Sequence, residues 1–247
     1  MRVLAIDTST LLGGVAVVDE LSGMLAEVKL NVKSTHSERL MTSIDYALKQ
    51  SGYSISDMDF FAVAIGPGSF TGLRIGLSTV KGFSFATGKP IVSVPTLEAL
   101  AHNFPFCRYP VCTMLDARKK EVYAALFEWK EEGLIRVIGE TLINTQDLLK
   151  RLEKNNLSSP PFRKGVEVGS SGEKITFAGD GAILYRDVII RHMNEKALFA
   201  SPDKMVPSPA NVACIGIQKA LRGEFSEPIN LVPFYIRRSE AEIKAKS

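Results

Sequence analysis

Apolar residues gather at 3–6 and 14–18, two short runs set apart by Asp7-Thr8-Ser9-Thr10, and this pattern predicts two strands joined by a turn, with 24–30 as a third. Thr35-His36-Ser37-Glu38 has capping-box spacing, in which a hydroxyl and a carboxylate satisfy the free amides of a helix start. Leu40, Met41, Ile44, Ala47 and Leu48 then recur at helical period up to Gly52. Residues 60–65 are apolar without a break, as in a strand covered on both faces, and run into Gly66-Pro67-Gly68-Ser69-Phe70-Thr71-Gly72. A helix to about Thr87 is expected next, stopped by Gly88 and Pro90. A strand at 91–94 follows, then a helix opened by Thr96 and running through His102.

The second half repeats the plan. An apolar run at 111–115 ends in Asp116, and a four-residue turn leads into 122–129, as Asp7 led into 14–18. Residues 175–178 end in Gly179-Asp180-Gly181 before a helical stretch to about Asn194, as the strand at 60–65 ended in Gly66-Pro67-Gly68. Gly66 follows Asp7 by 59 residues and Gly179 follows Asp116 by 63. Two such halves predict a duplicated α/β architecture. The expected division is a first lobe at 1–105 and a second, degenerate lobe at 106–247, with a long surface loop rich in Ser, Pro and Gly at 155–174.

Composition narrows the classes. Of 247 residues 45% are hydrophobic and 23% charged, the balance of an ordinary folded chain, and 30 basic against 27 acidic side chains leave a net charge of only +3. That is too little for a broad nucleic-acid footprint. Cys107, Cys112 and Cys214 are odd in number and lack Cys-x-x-Cys pairing, which indicates neither a disulfide framework nor a thiolate zinc site. The apolar stretch after Met1-Arg2 ends at Asp7, too short for a signal-peptide core or a membrane span, so a cytoplasmic protein is expected.

Candidate chemistry collects at strand ends. Asp7, Thr8 and Ser9 offer short hydroxyls and free amides for a phosphate or a carboxylate-bound cation, although the same residues are ordinary turn formers. Gly66, Gly68, Gly72 and Gly76 permit a tight turn, close backbone approach and an anion at the helix start, but the Gly-Lys-Ser/Thr ending of a P-loop is missing. Between Gly72 and Thr87 only Arg74 and Lys81 are charged, while Leu73, Ile75, Leu77, Val80, Phe83 and Phe85 spread round the rest. Such a helix needs cover on more than one side. Gly72 with Gly76, and Ser78 with Gly82 and Ala86, make small-residue stripes. An internal core helix and a partner-binding helix both satisfy this pattern. His36, His102 and His192 are scattered, no Gly-x-Ser-x-Gly or His-Glu-x-x-His motif occurs, and no metal site is expected. Arg118-Lys119-Lys120, Arg163-Lys164 and Arg237-Arg238 are small basic clusters that suit either solvated surface or weak contact with RNA phosphates.

Val3-Leu4-Ala5-Ile6-Asp7-Thr8-Ser9, Thr35-His36-Ser37-Glu38-Arg39-Leu40, the run from Gly66-Pro67-Gly68-Ser69-Phe70-Thr71-Gly72 through Leu73-Arg74-Ile75-Gly76, and Asp116-Ala117-Arg118-Lys119-Lys120-Glu121-Val122-Tyr123 together resemble the bacterial TsaB family, formerly YeaZ. The match is strongest over 1 to about 130 and continues at Gly179-Asp180-Gly181 and Tyr235-Ile236-Arg237. The resemblance implies an actin-like ATPase fold of the ribonuclease H-like class, in two related lobes, and a role in tRNA modification. Such proteins pair with the catalytic paralogue TsaD. With the ATPase TsaE they help transfer threonylcarbamoyl from an adenylate to the adenosine beside the anticodon. TsaD carries two metal-binding histidines on a helix after its own Gly-Pro-Gly segment; in the corresponding stretch here Thr96 and Leu100 take those places, and neither replaces an imidazole. Ala117-Arg118-Lys119-Lys120 stands where glycines would let amides close on a second phosphate.

The resemblance thus implies a subunit without catalysis of its own, docking helices near 36–48 and 72–87 on the equivalent helices of TsaD. His36, Leu40, Met41, Ile44, Leu73, Arg74, Leu77, Val80 and Lys81 are the expected contact residues, and Leu73→Asp or Leu77→Asp is expected to remove the partner without harming the fold. Asp7, Thr8, Ser9, Gly66 and Gly68 are expected to be a vestigial phosphate cradle, with no cofactor required by this subunit and ATP or ADP admitted only at an interface of the complex. A homodimer is admitted in the absence of TsaD, and tRNA contact is expected to be indirect or weak. Two rivals stand beside this reading: a stand-alone ATP-dependent phosphotransferase using Asp7 and the Gly66 loop, and a metallopeptidase, against which the missing histidines speak.

Overall fold

The computed structural model describes residues 1–31, 36–154 and 174–237. The chain divides into two compact units, one of Met1–Ala99 with Pro207–Tyr235, the other of Leu100–Val206 with the residues from Ile236 on. The first sheet opens with an antiparallel meander, β1 (Arg2–Asp7), β2 (Leu12–Asp19) and β3 (Gly23–Asn31). After helix α1 (His36–Ser51), strand β4 (Phe60–Gly66) joins parallel to β1; after helix α2 (Phe70–Thr87), β5 (Ile91–Pro95) joins parallel to β4. The order is β3-β2-β1-β4-β5. Alternation along the strands sends Leu4, Ile6, Val15, Val17, Phe61 and Val63 to the face under α1 and α2, where Leu40, Ile44, Ala47, Leu77 and Val80 meet them. Gly88, left-handed at φ 71, ends α2 as expected of a C-terminal glycine. A short helix α3 (Thr96–Ala101) follows β5.

The second unit repeats this order. β6 (Val111–Asp116), β7 (Glu121–Lys130) and β8 (Gly133–Asn144) form an antiparallel meander, helix α4 (Thr145–Lys154) follows, and β9 (Ile175–Ala178) pairs parallel to β6. Two helices, α5 (Asp180–Leu184) and α6 (Arg186–Met193), precede β10 (Ala197–Phe199), which lies parallel to β9. Read from β8, the order β8-β7-β6-β9-β10 is that of the first sheet, so the duplication is a fact of the topology and the chain has the actin-like ATPase fold. The single helical stretch expected to Asn194 is broken at Tyr185, and all but the last residue of the expected 155–174 loop lie outside the described residues.

The expected division at residue 105 differs from the observed one. After the second unit the chain returns, and helix α7 (Pro209–Leu221) packs Val212, Ala213 and Ile215 against Val3, Ala5, Ala16, Phe60 and Ala62 on the other face of the first sheet. Its approach is close: a Cβ on Gly216 would lie 2.9 Å from Ala62 Cβ. A sheet with parallel strands at its centre buries both faces, and the segment that covers the second one comes from the end of the chain.

Candidate functional site

β1 ends in Asp7, and the turn into β2 places Thr8 and Ser9 against the start of α2. Thr8 Oγ1 donates to the Gly72 carbonyl at 2.7 Å, and the Ser69 amide donates to the Ser9 carbonyl at 2.7 Å. Ser69 caps α2, its hydroxyl accepting from the Gly72 amide at 3.3 Å. A Cβ on Gly68, Gly72 or Gly76 would overlap the Ser9 carbonyl, the Thr8 carbonyl or Thr8 Oγ1 respectively. The glycines therefore serve an approach between two parts of the chain. Gly66 makes a different approach, where a Cβ would meet the Phe234 carbonyl at 2.9 Å.

Of the expected cradle, Asp7, Ser9 and Gly68 lie against one another and Thr8 against Gly72 and Gly76, while Gly66 faces Phe234 and Leu73, and the polar groups of the turn bond one another. Asp7 Oδ1 accepts from the Ser9 amide at 2.8 Å and the Ser9 hydroxyl at 2.6 Å, and Asp7, Thr8 and Ser9 are no more than 2% exposed. Asp7 Oδ2 is buried with no hydrogen-bond partner. Burial pushes the Asp7 carboxyl up, against the two Ser9 hydrogen bonds and the more distant Lys29.

The second unit reproduces the joint with different residues. Gly179 and Gly181 press on the backbone of Met114 and Leu115, and the Asp116 amide donates to Asp180 Oδ1 at 2.9 Å. Burial, with Asp116 adding to it, pushes the Asp180 carboxyl up. In the hairpin after Asp116, Arg118, Lys119 and Lys120 take φ of 61°, 55° and 64°, three consecutive side-chain-bearing residues in the left-handed region. The turn keeps a glycine-like backbone and adds three exposed cations. It is closed by the Glu121 amide to the Arg118 carbonyl at 3.0 Å and by Arg237, which holds the Ala117 carbonyl at 2.8 Å and pairs with Glu121. Sequence showed the lost glycines but not the retained geometry. Arg163, Lys164 and Arg238 lie outside the described residues.

The expected partner surface is corrected at five positions. Leu40, Ile44, Leu73, Leu77 and Val80 are at most 6% exposed, and Leu40, Ile44, Leu77 and Val80 belong to the core between the helices and the sheet. Small residues decide which side of α2 turns inward: Gly72 and Gly76 let that face reach the β1–β2 turn, and Leu73, Leu77 and Val80 follow it in. Outside are Phe70, Arg74, Ser78, Gly82, Phe85 and Ala86, with Phe85 94% exposed, while Lys81 is half-buried. On α1 the outward residues include Met41 and Tyr46; the side chain of His36 lies outside the described residues. Thr96 and Leu100 are fully buried core positions. His102 meets Trp129 edge-on at 5.4 Å and His192 sits 3.1 Å from Glu153, and among the described residues no group of three or more His, Cys, Asp or Glu is placed to hold a metal. No helix among them is long and apolar enough to cross a membrane.

A family model described as TsaD, tRNA N6-adenosine threonylcarbamoyltransferase, matches residues 10–245. The tRNA threonylcarbamoyladenosine biosynthesis protein TsaB of Bacillus subtilis is 29% identical over 244 residues, covering 99% of this chain and 97% of its own length. TsaB of Escherichia coli is 34% identical over 136 residues, 54% of this chain and 58% of that protein. A crystal structure from Pseudomonas aeruginosa, described as an uncharacterized protein with similarity to peptidase YEAZ, superposes with a TM-score of 0.73 at 26% identity, covering 96% of this chain and 99% of the other. The word peptidase belongs to that description. With the match running almost from end to end, the chain belongs to the TsaD family of tRNA N6-adenosine threonylcarbamoyltransferases, and within it to the TsaB, or YeaZ, members.

Proposed function

We propose that this chain acts in the biosynthesis of threonylcarbamoyladenosine in tRNA as a non-catalytic subunit, binding and stabilising a TsaD-type catalytic paralogue through the outward sides of α1 and α2. The name of its full-length relative in Bacillus subtilis supports the pathway. The observation that carries the mode of action is the exposed side of α2, where Phe85 stands 94% exposed beside the small residues Ser78, Gly82 and Ala86. A helix whose other side is already satisfied by the core has no internal use for that phenylalanine. The small residues let a second helix come close, and the aromatic ring supplies apolar area for it to bury. The closed joint around Asp7 and the core roles of Thr96 and Leu100 argue against chemistry by this chain alone. TsaE as a further partner, ATP or ADP at an interface of the complex, weak tRNA contact and a cytoplasmic location complete the proposal.

The test is co-purification with the TsaD-type paralogue of the same organism. Gly82→Arg and Phe85→Asp are expected to lose the paralogue while melting as the wild type does, since nothing lies within 4 Å of a Cβ on Gly82. Undiminished pairing by both variants, or steady ATP turnover by the isolated chain, overturns the reading.

A further inference from the structure

Phe70, Arg74, Ser78, Gly82 and Ala86 follow one another at four-residue spacing and are all exposed, so they form one stripe along the outward side of α2. At its N-terminal end the stripe changes character. The Arg74 guanidinium carbon lies 3.9 Å from the centre of the Phe70 ring, Arg74 Nε donates to Tyr235 Oη at 3.0 Å, and the Tyr235 and Phe70 rings stack at 5.1 Å with 26° between their planes. Two aromatic residues hold a side chain that would otherwise sample many rotamers. With Nε used by Tyr235, the outer fork of Nη1 and Nη2 is the part of the group available to a ligand. Among the described residues, no carboxylate pairs with Arg74.

We propose that Arg74 is a preset clasp for a carboxylate on a helix of the catalytic paralogue, with Phe70 and Tyr235 as its positioning residues. The inference rests on the outward side of α2 being the surface that receives that paralogue. A planar fork matches a carboxylate with two parallel hydrogen bonds, and an exposed cation that no carboxylate of the described residues neutralises matches an acidic side chain of a partner. The small residues fix where the partner helix crosses. Arg74 precedes Gly82 by eight residues, about 12 Å along the axis, so the acidic residue belongs roughly two turns from the point of closest approach. The clasp sets register and partner choice, while Phe85 and the small residues supply area.

The dissociation constant for the TsaD-type paralogue of the same organism, measured by calorimetry at 50 mM and 500 mM NaCl, tests this. Arg74→Gln is expected to weaken binding at least about tenfold at low salt and to flatten the salt dependence of the wild type. Arg74→Lys is expected to recover only part of the loss, because an ammonium lacks the fork. Tyr235→Phe is expected to weaken binding by less, as only the orienting bond is lost. Arg74→Glu combined with replacement of one acidic residue on the paralogue by Lys is expected to restore affinity. Wild-type affinity and salt dependence in Arg74→Gln sink the clasp. If Gly82→Arg still abolishes binding in that case, the surface stands without it; if Gly82→Arg also binds normally, both readings fall.

Discussion

Gly72 lies so close against Thr8 that its carbonyl accepts the Thr8 hydroxyl at 2.7 Å while the Thr8 carbonyl fills the space a Cβ on Gly72 would need. This contact locks α2 to the end of β1, and it explains why a glycine-rich strand-to-helix turn persists where the surrounding polar groups bond one another. Gly72→Ala must push backbone against backbone, which no rotamer change relieves. The expected cost is about 3 kcal/mol or more, the upper end for overpacking, read as a lowered urea midpoint with unchanged slope. Gly82→Ala, on the outward stripe of the same helix, is expected to be neutral or slightly stabilising, because the space there is open.

The two stripes of α2 also mark the limit of what sequence could tell. Gly72 with Gly76 and Ser78 with Gly82 and Ala86 look alike as four-residue repeats, yet one faces the chain's own β1–β2 turn and the other faces out. Periodicity gives the spacing of a helix face but not which of two compatible faces meets the sheet, so Leu73, Leu77 and Val80 read as partner contacts. The duplication, by contrast, was legible, because Asp7 and Asp116 end equivalent strands and each half spaces its glycine turn alike. β8 was hidden by its mixed exposure and charged residues such as Arg136 and Glu140. The packing of α7 was hidden because its partner strands lie far back in the chain, from Val3 to Ala62. The left-handed hairpin at 118–120 left no trace, since three basic residues are the opposite of what such a turn favours.

Corrected burial changes the outcome expected of the leucines. Leu73 is fully buried and Leu77 3% exposed, so Leu73→Ala is expected to cost about 2–5 kcal/mol of stability, and Leu77→Asp to prevent stable folding by burying a charge among Ile44, Val80 and the sheet. Either variant then loses any partner proposed for α2 through loss of fold. Thermal melting separates the cases: Phe85→Asp, on the exposed side, is expected to hold the wild-type midpoint. A normal midpoint for Leu77→Asp contradicts the packing described for α2.

Asp7 carries the clearest pH signature. Its carboxyl is pushed up by burial, and that of Asp180 shifts the same way, so between the usual carboxylate value of about 3.9 and the raised native values the folded chain binds more protons than the unfolded one. Stability therefore falls as pH rises through that window, and the loss is complete once the native groups are ionised. Asp7→Asn keeps an oxygen for the Ser9 amide and hydroxyl and removes the charge. The variant is expected to melt above the wild type at neutral pH, with the advantage shrinking as pH drops toward 4 and the wild-type carboxyl takes its proton. Equal melting of the two proteins across that range counts against a costly buried carboxylate at this position.

Lys120, at φ 64° in the hairpin after Asp116, is held where L residues pay about 1–2 kcal/mol each, while glycine gives back roughly 0.5–1 kcal/mol of that advantage through the freedom it gains in the unfolded chain. Lys120→Gly is thus expected to stabilise the protein by about 0.5–1 kcal/mol, seen as a rise in the urea midpoint. Lys120→Ala separates strain from loss of the cation, because alanine keeps the unfavourable φ and is expected to leave the midpoint near that of the wild type. A gain in the glycine variant alone means that the turn retains a basic side chain against its own backbone preference. Equal midpoints in all three proteins would mean that Glu121, Arg237 and Asn144, which hold the hairpin from its base, have relieved the strain that the dihedral angle implies.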